Sequence, residues 1–346
     1  MKFSIKQIAA QAGVSKATVD RALHQRGKVH QQTLRRIEQA LQDLENQQRS
    51  GLASGRTLPI DVVMHTPQRF SQLVTDALCS QLSAFVPFRI TLRFHIFEQI
   101  GTAELQQVLE RCRSQGSYGV ILKVSDEQLL NDSVGLLQQQ GIPVVTIVTD
   151  LPQSRRISYI GMDNRAAGRT AAYLMARWLP PQPQRVAVVI SSQGFRGEEE
   201  RESGFRQWLR ERAPHLSVVD ISGGLGVYAP TLARVTETLR CHPDIHAVYS
   251  VGGGNSAIVE AFSRQQRPLA AFIGHDLDQE NRQLLAQERI DAVIDHDLQR
   301  DARNAFQAIL QHHGFVPGNI ITHAFSRVSV VTPFNLSMVD EPSAGV

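Results

Sequence analysis

The chain has 346 residues, 42% of them hydrophobic and 20% charged, enough to bury proper cores and more than one core usually organises, so a soluble globular protein of a small unit plus a large one, or of two comparable domains, is expected. The formal net charge is only +3, but residues 1–58 hold ten Lys/Arg against Asp20, Glu38, Asp43 and Glu45, a local +6 that leaves −3 for the remainder; such a basic head fits phosphate contact and equally a solvated surface. Cys79, Cys112 and Cys241 lie far apart outside any Cys-x-x-Cys, which disfavours a disulfide framework or a zinc site, and without a signal core or a membrane-length apolar run a cytoplasmic location with no membrane anchor is expected.

Taken in chain order, "FSIKQIAAQAG" opens with Ser4 and Gln7 at capping-box spacing and then sets Ile5, Ile8, Ala9 and Ala12 on one face of a predicted helix. Gly13 breaks it, Val14 anchors the turn, and Ser15 is placed to cap a second helix with Val19, Ala22 and Leu23 inward and Lys16, Thr18 and Arg21 outward. After a turn at Gly27, Leu34, Ile37, Leu41 and Leu44 predict a third helix with Arg35, Arg36 and Glu38 outside. Short helices joined through a glycine turn form a helix-turn-helix, whose second helix enters the major groove of DNA.

The stretch "IKQIAAQAGVSKATVDRALHQRGKVHQQTLRRIEQALQDL" resembles the headpiece of the LacI/GalR family of transcriptional regulators, through its Ile-Ala-x-x-Ala-Gly-Val-Ser core, its Thr-Val-x-Arg helix and its Val-x-x-x-Thr helix start. The resemblance implies that Lys16, Ala17 and Arg21 face bases and that Ser15, Thr18 and Thr33 contact phosphates, with Lys28 also among the DNA-binding residues. Arg21 is the expected guanine reader, because its fork matches the O6 and N7 acceptors. Two positions depart from the family: Asp20 stands in place of a serine, fit either to orient Arg21 or to remain a solvated charge, and His30 replaces the serine cap of the third helix.

Residues 47–58 are expected to be a linker, part of a polar stretch "ENQQRSGLASGRTL" without a periodic apolar face. The family usually has Tyr-x-Pro-Asn here, with a hinge helix whose leucine wedges into the minor groove. This chain lacks Pro-Asn; Leu52 lies at a fitting distance before the next strand, but Gly51 beside it weakens a helix by about 1 kcal/mol relative to alanine. The expected division is therefore a helix-turn-helix domain over 1–46, a degenerate hinge over 47–58 and a ligand-sensing and dimerisation domain over 59–346.

From Pro59 the pattern alternates strand and helix: "IDVVM", a helix near 70–86, "ITLRFHIF", a helix near 102–115, "YGVILKV", a helix near 126–140 and "PVVTIVT". The rhythm returns after Gly161 in "RVAVVI", "LSVVDI", "HAVYSV", "LAAFIG" and "IDAVID". Two series of βα units predict an α/β fold of two lobes with parallel sheets covered by helices, and a ligand cleft at the carboxyl ends of the strands. The expected lobes are 59–162 with 297–325 and 163–296 with 326–340. The stretches "GIPVVTIVTD", "YIGMDNRAAGRTAAYL", "ERESGFRQWL", "FIGHD" and "AVIDHDLQRDARNA" resemble the type I periplasmic sugar-binding proteins, the same core the LacI/GalR family uses to sense effectors.

That resemblance places Asp150, Arg201, Asp276 and His296 at the cleft. A carboxylate accepting hydroxyl hydrogens beside a donating guanidinium suits a polyhydroxylated ligand; Arg201, within "RGEEERE", also fits a surface ion pair, and Asp276 a helix cap. His65, Gln68 and Phe70 follow the first strand, where the family presents polar groups and a stacking ring, while Asp126 fits either the cleft or an N-cap. "VGGGNSA" formally matches a dinucleotide fingerprint, yet in the resembled family this loop carries Asn-Asp for the ligand; Gly253 and Gly254 replace that pair, leaving Asn255 as the nearest polar group and room for a bulkier or phosphorylated ligand.

No GxSxG, HExxH, Walker A or Cys-His spacing supports catalysis, a cofactor or a metal. Arg155 and Arg156 read as a solvated loop. The expectation is a repressor whose affinity for a near-palindromic double-stranded operator is changed by a small effector, a sugar or polyol, and which acts as a homodimer or tetramer. Its competitors are a sugar-binding protein with no regulatory role, a regulator sensing a nucleoside, purine or sugar phosphate, and an enzyme with a fused regulatory head.

Overall fold

The computed structural model describes residues 3–24, 26, 29–53 and 57–336. It begins with α1 (Ile5–Ala12), α2 (Lys16–Leu23) and α3 (Gln31–Ala53). The capping box forms as the spacing predicts: the Gln7 amide donates to Ser4 Oγ at 3.3 Å and the Ser4 amide to Gln7 Oε1 at 3.0 Å. Gly13 ends α1 in the left-handed region at φ 61°, which an L side chain resists. Arg36 is exposed, as its place in the pattern suggested, and its Nη2 reaches over the turn to donate to the Ala12 carbonyl at 2.8 Å, satisfying the open end of α1. Ile8, Ala12, Val19, Ile37 and Ala40 form the small core beneath.

The third helix corrects the local reading of the linker, because it continues through Glu45–Gln48 to Ala53. That stretch is rich in Gln, Glu and Arg and holds neither proline nor β-branched residues, so nothing stops the helix, and one Gly51 is a tolerable cost in a run of helical turns.

Five strands follow, β1 (Thr57–His65), β2 (Arg89–Phe97), β3 (Gly119–Lys123), β4 (Val144–Ile147) and β5 (Ser158–Gly161), with helices α4 (Gln68–Gln81), α5 (Thr102–Ser114) and α6 (Gln128–Gln139) between them. After α7 (Asn164–Trp178) come β6 (Gln184–Val189), α8 (Arg196–Arg212), β7 (Leu216–Ile221), α9 (Tyr228–Cys241), β8 (Ile245–Ser250), α10 (Asn255–Arg264), β9 (Ala271–His275), α11 (Gln279–Ala286) and β10 (Ala292–His296). The described chain closes with α12 (Leu298–His312), β11 (His323–Phe325) and β12 (Val328–Val331). The short β5, β11 and β12 carry too few residues for a period to declare itself in the sequence.

The strands form two sheets, in the orders β11-β5-β4-β3-β1-β2 and β12-β10-β9-β8-β6-β7. All neighbours are parallel except β12, which runs antiparallel to β10. Every residue of β3 and β4 is buried, as expected for parallel strands with helices on both faces. Along β1, Ile60, Val62 and Met64 pack with Phe306 and Ile309 of α12, whereas Val63 packs with Leu105 of α5 and Leu130 of α6. The chain passes between the sheets after β5, after β10 and again between β11 and β12. No helix among the described residues is long and apolar enough to cross a membrane.

Candidate functional site

In both sheets the strand order reverses beside the first strand of the series, between β1 and β3 and between β6 and β8. Such a reversal leaves a crevice outside the carboxyl ends of the strands. The two crevices face each other across a cleft with about 680 Å3 of space open to solvent. One side is built from His65 at the end of β1, Lys123 at the end of β3 and Thr149 after β4; the other from Ser191 after β6, Gly252 after β8 and Asp276 after β9. Three non-glycine residues lining it, Val148, Leu225 and Asp276, have φ of 67°, 55° and 66°. Backbone held in the left-handed region costs free energy and gathers at functional sites.

Arg201 and Asp276 are brought together as the resemblance implied. Arg201 is 3% exposed, so it is not a surface ion-pair partner. Its Nε donates to Asn164 Oδ1 at 2.8 Å and its Nη1 to the Val251 carbonyl at 3.3 Å, while Nη2 is buried without a hydrogen-bond partner among the described residues. Glycines allow this placement: a Cβ on Gly168 of α7 would overlap the Arg201 carbonyl, and one on Gly204 of α8 that of Arg165, so these helices pack backbone to backbone. Asp276 is not a helix cap, since Asp278 caps α11 by accepting from the Asn281 amide at 2.7 Å. Asp276 Oδ1 is likewise buried and unpartnered.

His65 lines the cleft, edge-on to the Phe195 ring at 5.5 Å between centroids, and burial with the nearby Lys123 charge pushes its pKa down. Phe70 also lines the cleft, but as a 4% exposed core residue with the Lys123 ammonium 5.5 Å from its ring centroid, so it is not the free stacking platform expected.

Five other expected residues stand outside the lining. Asp150 turns away from the cleft into a buried pair with Arg156, whose Nη2 lies 2.6 Å from Asp150 Oδ2, and Thr146 Oγ1 donates to Oδ1 at 2.9 Å. Arg156 is thereby corrected from a solvated loop residue to a buried ion-pair partner. Gln68 is exposed at the start of α4, its amide donating to Glu98 Oε1 at 2.8 Å. Asp126 accepts from Asn131 Nδ2 at 3.0 Å, and its amide donates to the Gly194 carbonyl at 2.9 Å across the cleft's edge. Asn255 is buried against Asn281, with Nδ2 donating to Oδ1 at 2.7 Å. His296 ends β10, beside the strand that leads into Asp276, and is absent from the lining itself; burial pushes its pKa down to about 4, with the Asp276 carboxylate raising it and the Arg201 charge lowering it, and neither ring nitrogen has a partner among the described residues.

The sequence reading missed Lys123, Arg69, Phe195 and Glu198. Lys123 is 8% exposed on a buried strand, a signal visible in "GVILKV" as a cation within an apolar run. Glu198 accepts from the Ser191 amide at 2.7 Å and the Ser191 hydroxyl at 2.6 Å, tying α8 to the end of β6. Arg69 of α4 crosses the cleft to pair with Asp278 and donates to the Gly252 carbonyl at 3.4 Å. The open loop of "VGGGNSA" is thus filled by Arg69, onto whose guanidinium a Cβ at Gly253 would fall, which corrects the expectation that those glycines leave room for a bulkier ligand.

A second cluster joins Asp61, His95 and Cys112, residues far apart in the chain. The carboxylate of Asp61 is taken by Arg93, with Nε at 2.9 Å and Nη2 at 2.5 Å, and by His95 Nε2 at 2.8 Å. Burial pushes the Cys112 thiol up to about 12. A guanidinium seated on the carboxylate makes this an ion-pair network rather than a cation site.

In the headpiece, Ser15 accepts from the Thr18 amide at 3.1 Å and so caps α2. Lys16, Ala17 and Arg21 are exposed, Thr18 and Thr33 half-buried. Arg21 Nε donates to the Ala17 carbonyl at 3.2 Å. Asp20 pairs with His24 at 3.5 Å rather than with Arg21, and His30 supplies a cap for α3, its Nδ1 accepting from the Gln32 amide at 3.3 Å. Lys28 and the side chain of Leu52 lie outside the described residues.

Comparison with known proteins agrees with both halves. Residues 4–47 match the family of bacterial regulatory proteins of the lacI type, and residues 88–314 match the periplasmic binding protein domain. The HTH-type transcriptional regulator CelR of Thermobifida fusca is 23% identical over 79% of this chain and 82% of its own length. An ABC-transporter solute-binding protein from Burkholderia graminis, solved with D-arabinose, superposes with a TM-score of 0.74 at 20% identity, covering 84% of this chain and 99% of that one. The glucose-galactose binding protein GanP of Geobacillus stearothermophilus gives 0.72 at 19% identity over 81% of this chain and 99% of its own. The chain belongs to the periplasmic binding protein domain family, and ahead of that two-lobed domain it carries a helix-turn-helix headpiece of the lacI family of bacterial regulatory proteins.

Proposed function

We propose that the protein is an operator-binding repressor whose DNA affinity is set by a small polyhydroxylated effector in the cleft between the sheets, and that it works as a homodimer by binding rather than by catalysis. The observation that carries the effector reading is the uncommitted pair at the cleft: a buried Arg201 Nη2 and a buried Asp276 Oδ1, one donor and one acceptor, each without a partner among the described residues. Buried polar atoms left unpaired are costly unless something else satisfies them, and adjacent hydroxyls both accept and donate. That the solved relatives named above bind glucose, galactose or D-arabinose supports the same class.

On the DNA side, the exposed Lys16, Ala17 and Arg21 at the start of α2 are the proposed base-facing residues, with Ser15, Thr18 and Thr33 at phosphates. One headpiece buries too little for specific binding at about 10⁻⁸–10⁻¹¹ M, which is the reason for proposing two on a near-palindromic site. The test is selection of genomic fragments on the purified full chain at near-physiological salt, with and without neutral sugars and polyols. Enrichment of a near-palindrome that one compound releases is the expected result. Fragments retained without sequence preference, at an affinity no compound alters, would sink the reading.

A further inference from the structure

Lys123 ends β3 with its side chain almost entirely buried, and its hydrogen bond among the described residues is a long one, from Nζ to the His65 carbonyl at 3.4 Å. An ammonium has three donors, and the space beside the other two is the cleft. The group lies over the Phe195 ring at 4.6 Å and the Phe70 ring at 5.5 Å. Its charged surroundings come from every side: Glu198 and Arg201 on α8, Asp276 after β9, Arg69 on α4 and His65 on β1.

We infer that Lys123 is a ligand-contacting, specificity-determining residue that, together with Arg201, reads adjacent oxygen acceptors of a small, uncharged polyhydroxylated ligand. This rests on the cleft being the effector site. Two features select the chemistry. The ring faces of Phe70 and Phe195 turned toward Nζ are covered by the cation, so this end of the cleft meets oxygen rather than an apolar C–H face. The lining's cations, Lys123, Arg201 and Arg69, stand against the carboxylates of Glu198, Asp276 and Glu98, so an incoming phosphate finds no surplus positive charge to offset repulsion from those carboxylates.

Burial pushes the Lys123 ammonium down to about 8, with Glu198 and Asp276 holding it up and Arg201 and Arg69 opposing them. The protonated form, the one that donates, therefore prevails at neutral pH and is lost above about 8.

The test is titration calorimetry on the full chain, as wild type, Lys123→Met and Lys123→Gln, from about pH 7 to about pH 9.5. The probes are D-arabinose, D-glucose, D-galactose, D-ribose, xylitol and myo-inositol, with the phosphate monoesters of the same aldoses. Wild type is expected to bind a neutral probe more tightly than its ester, with Kd rising about tenfold per pH unit above about 8. Lys123→Met is expected to weaken that binding about ten- to hundredfold and to flatten the pH profile, and Lys123→Gln to flatten it too. A Lys123→Met protein with wild-type affinity and profile overturns the assignment; should that variant not fold, a wild-type pH slope in Lys123→Gln does the same. Preference for the phosphate ester overturns the ligand class. Wild-type protein that binds none of the probes overturns the effector-site reading itself.

Discussion

Arg201 and Asp276 differ in what surrounds them, so their substitutions should part ligand binding from stability. Removing the Arg201 guanidinium strips donors from Asn164 Oδ1 and the Val251 carbonyl, both in buried surroundings, so Arg201→Met is expected to lose effector response and about 1–3 kcal/mol of stability. Asp276→Asn keeps the shape, and asparagine tolerates the left-handed backbone found there at φ 66°. It should therefore melt near wild type while binding effector about ten- to hundredfold more weakly, as calorimetry beside thermal denaturation would show; unchanged affinity would remove Asp276 from the site. His296 titrates at about 4 in the folded chain against about 6.5 when unfolded. The unfolded state thus takes the proton first, so this group's contribution is complete above about 6.5 and drains away as pH falls toward about 4. Urea unfolding across that window should show a shallower acid loss in His296→Gln. Asp301, which burial pushes up to about 7, opposes it, its contribution being lost as pH rises toward that value.

Among the elements, the loop between β8 and α10 and the helix α3 carry the clearest consequences. The loop's glycines accommodate Arg69, which joins α4 on one sheet to the cap of α11 on the other. Gly253 has φ 86°, so Gly253→Ala both strains the backbone, at about 1–3 kcal/mol, and expels the guanidinium. The unliganded variant should scatter X-rays with a larger radius of gyration than wild type, and Arg69→Ala should reproduce the expansion without the strain; a wild-type radius in both would mean that Arg69 does not hold the lobes together. In the headpiece, α2 displays Arg21 on its exposed side, its side chain held by an intrahelical hydrogen bond to the Ala17 carbonyl. Arg21→Ala should leave folding unchanged and cost about 1–3 kcal/mol of operator affinity, mostly as lost discrimination at one base pair in a binding-site competition assay.

At the scale of the whole molecule, the repeated strand order makes the cleft. Each lobe alone supplies half of the cleft's lining, Arg201 and Asp276 coming from one lobe and Lys123 and His65 from the other. A ligand held by both has different contacts in open and closed arrangements, and only that difference can move an equilibrium felt at the headpiece.

The sequence alone determined the alternation of strand and helix and the helix-turn-helix with its caps, because periodicity and capping chemistry are local and written in neighbouring residues, while Arg201 and Asp276 were pointed to by the family resemblance. Only the tertiary structure decided that Asp150 is spent on Arg156, that Asn255 faces Asn281 and that Lys123 and Arg69 enter the cleft. Those outcomes turn on which partner, 6 residues away for Asp150 and 209 for Arg69, reaches a charged or amide group first when the sheets are stacked. A buried polar side chain takes whichever partner the packing brings within hydrogen-bond range, and no spacing along the chain records that competition.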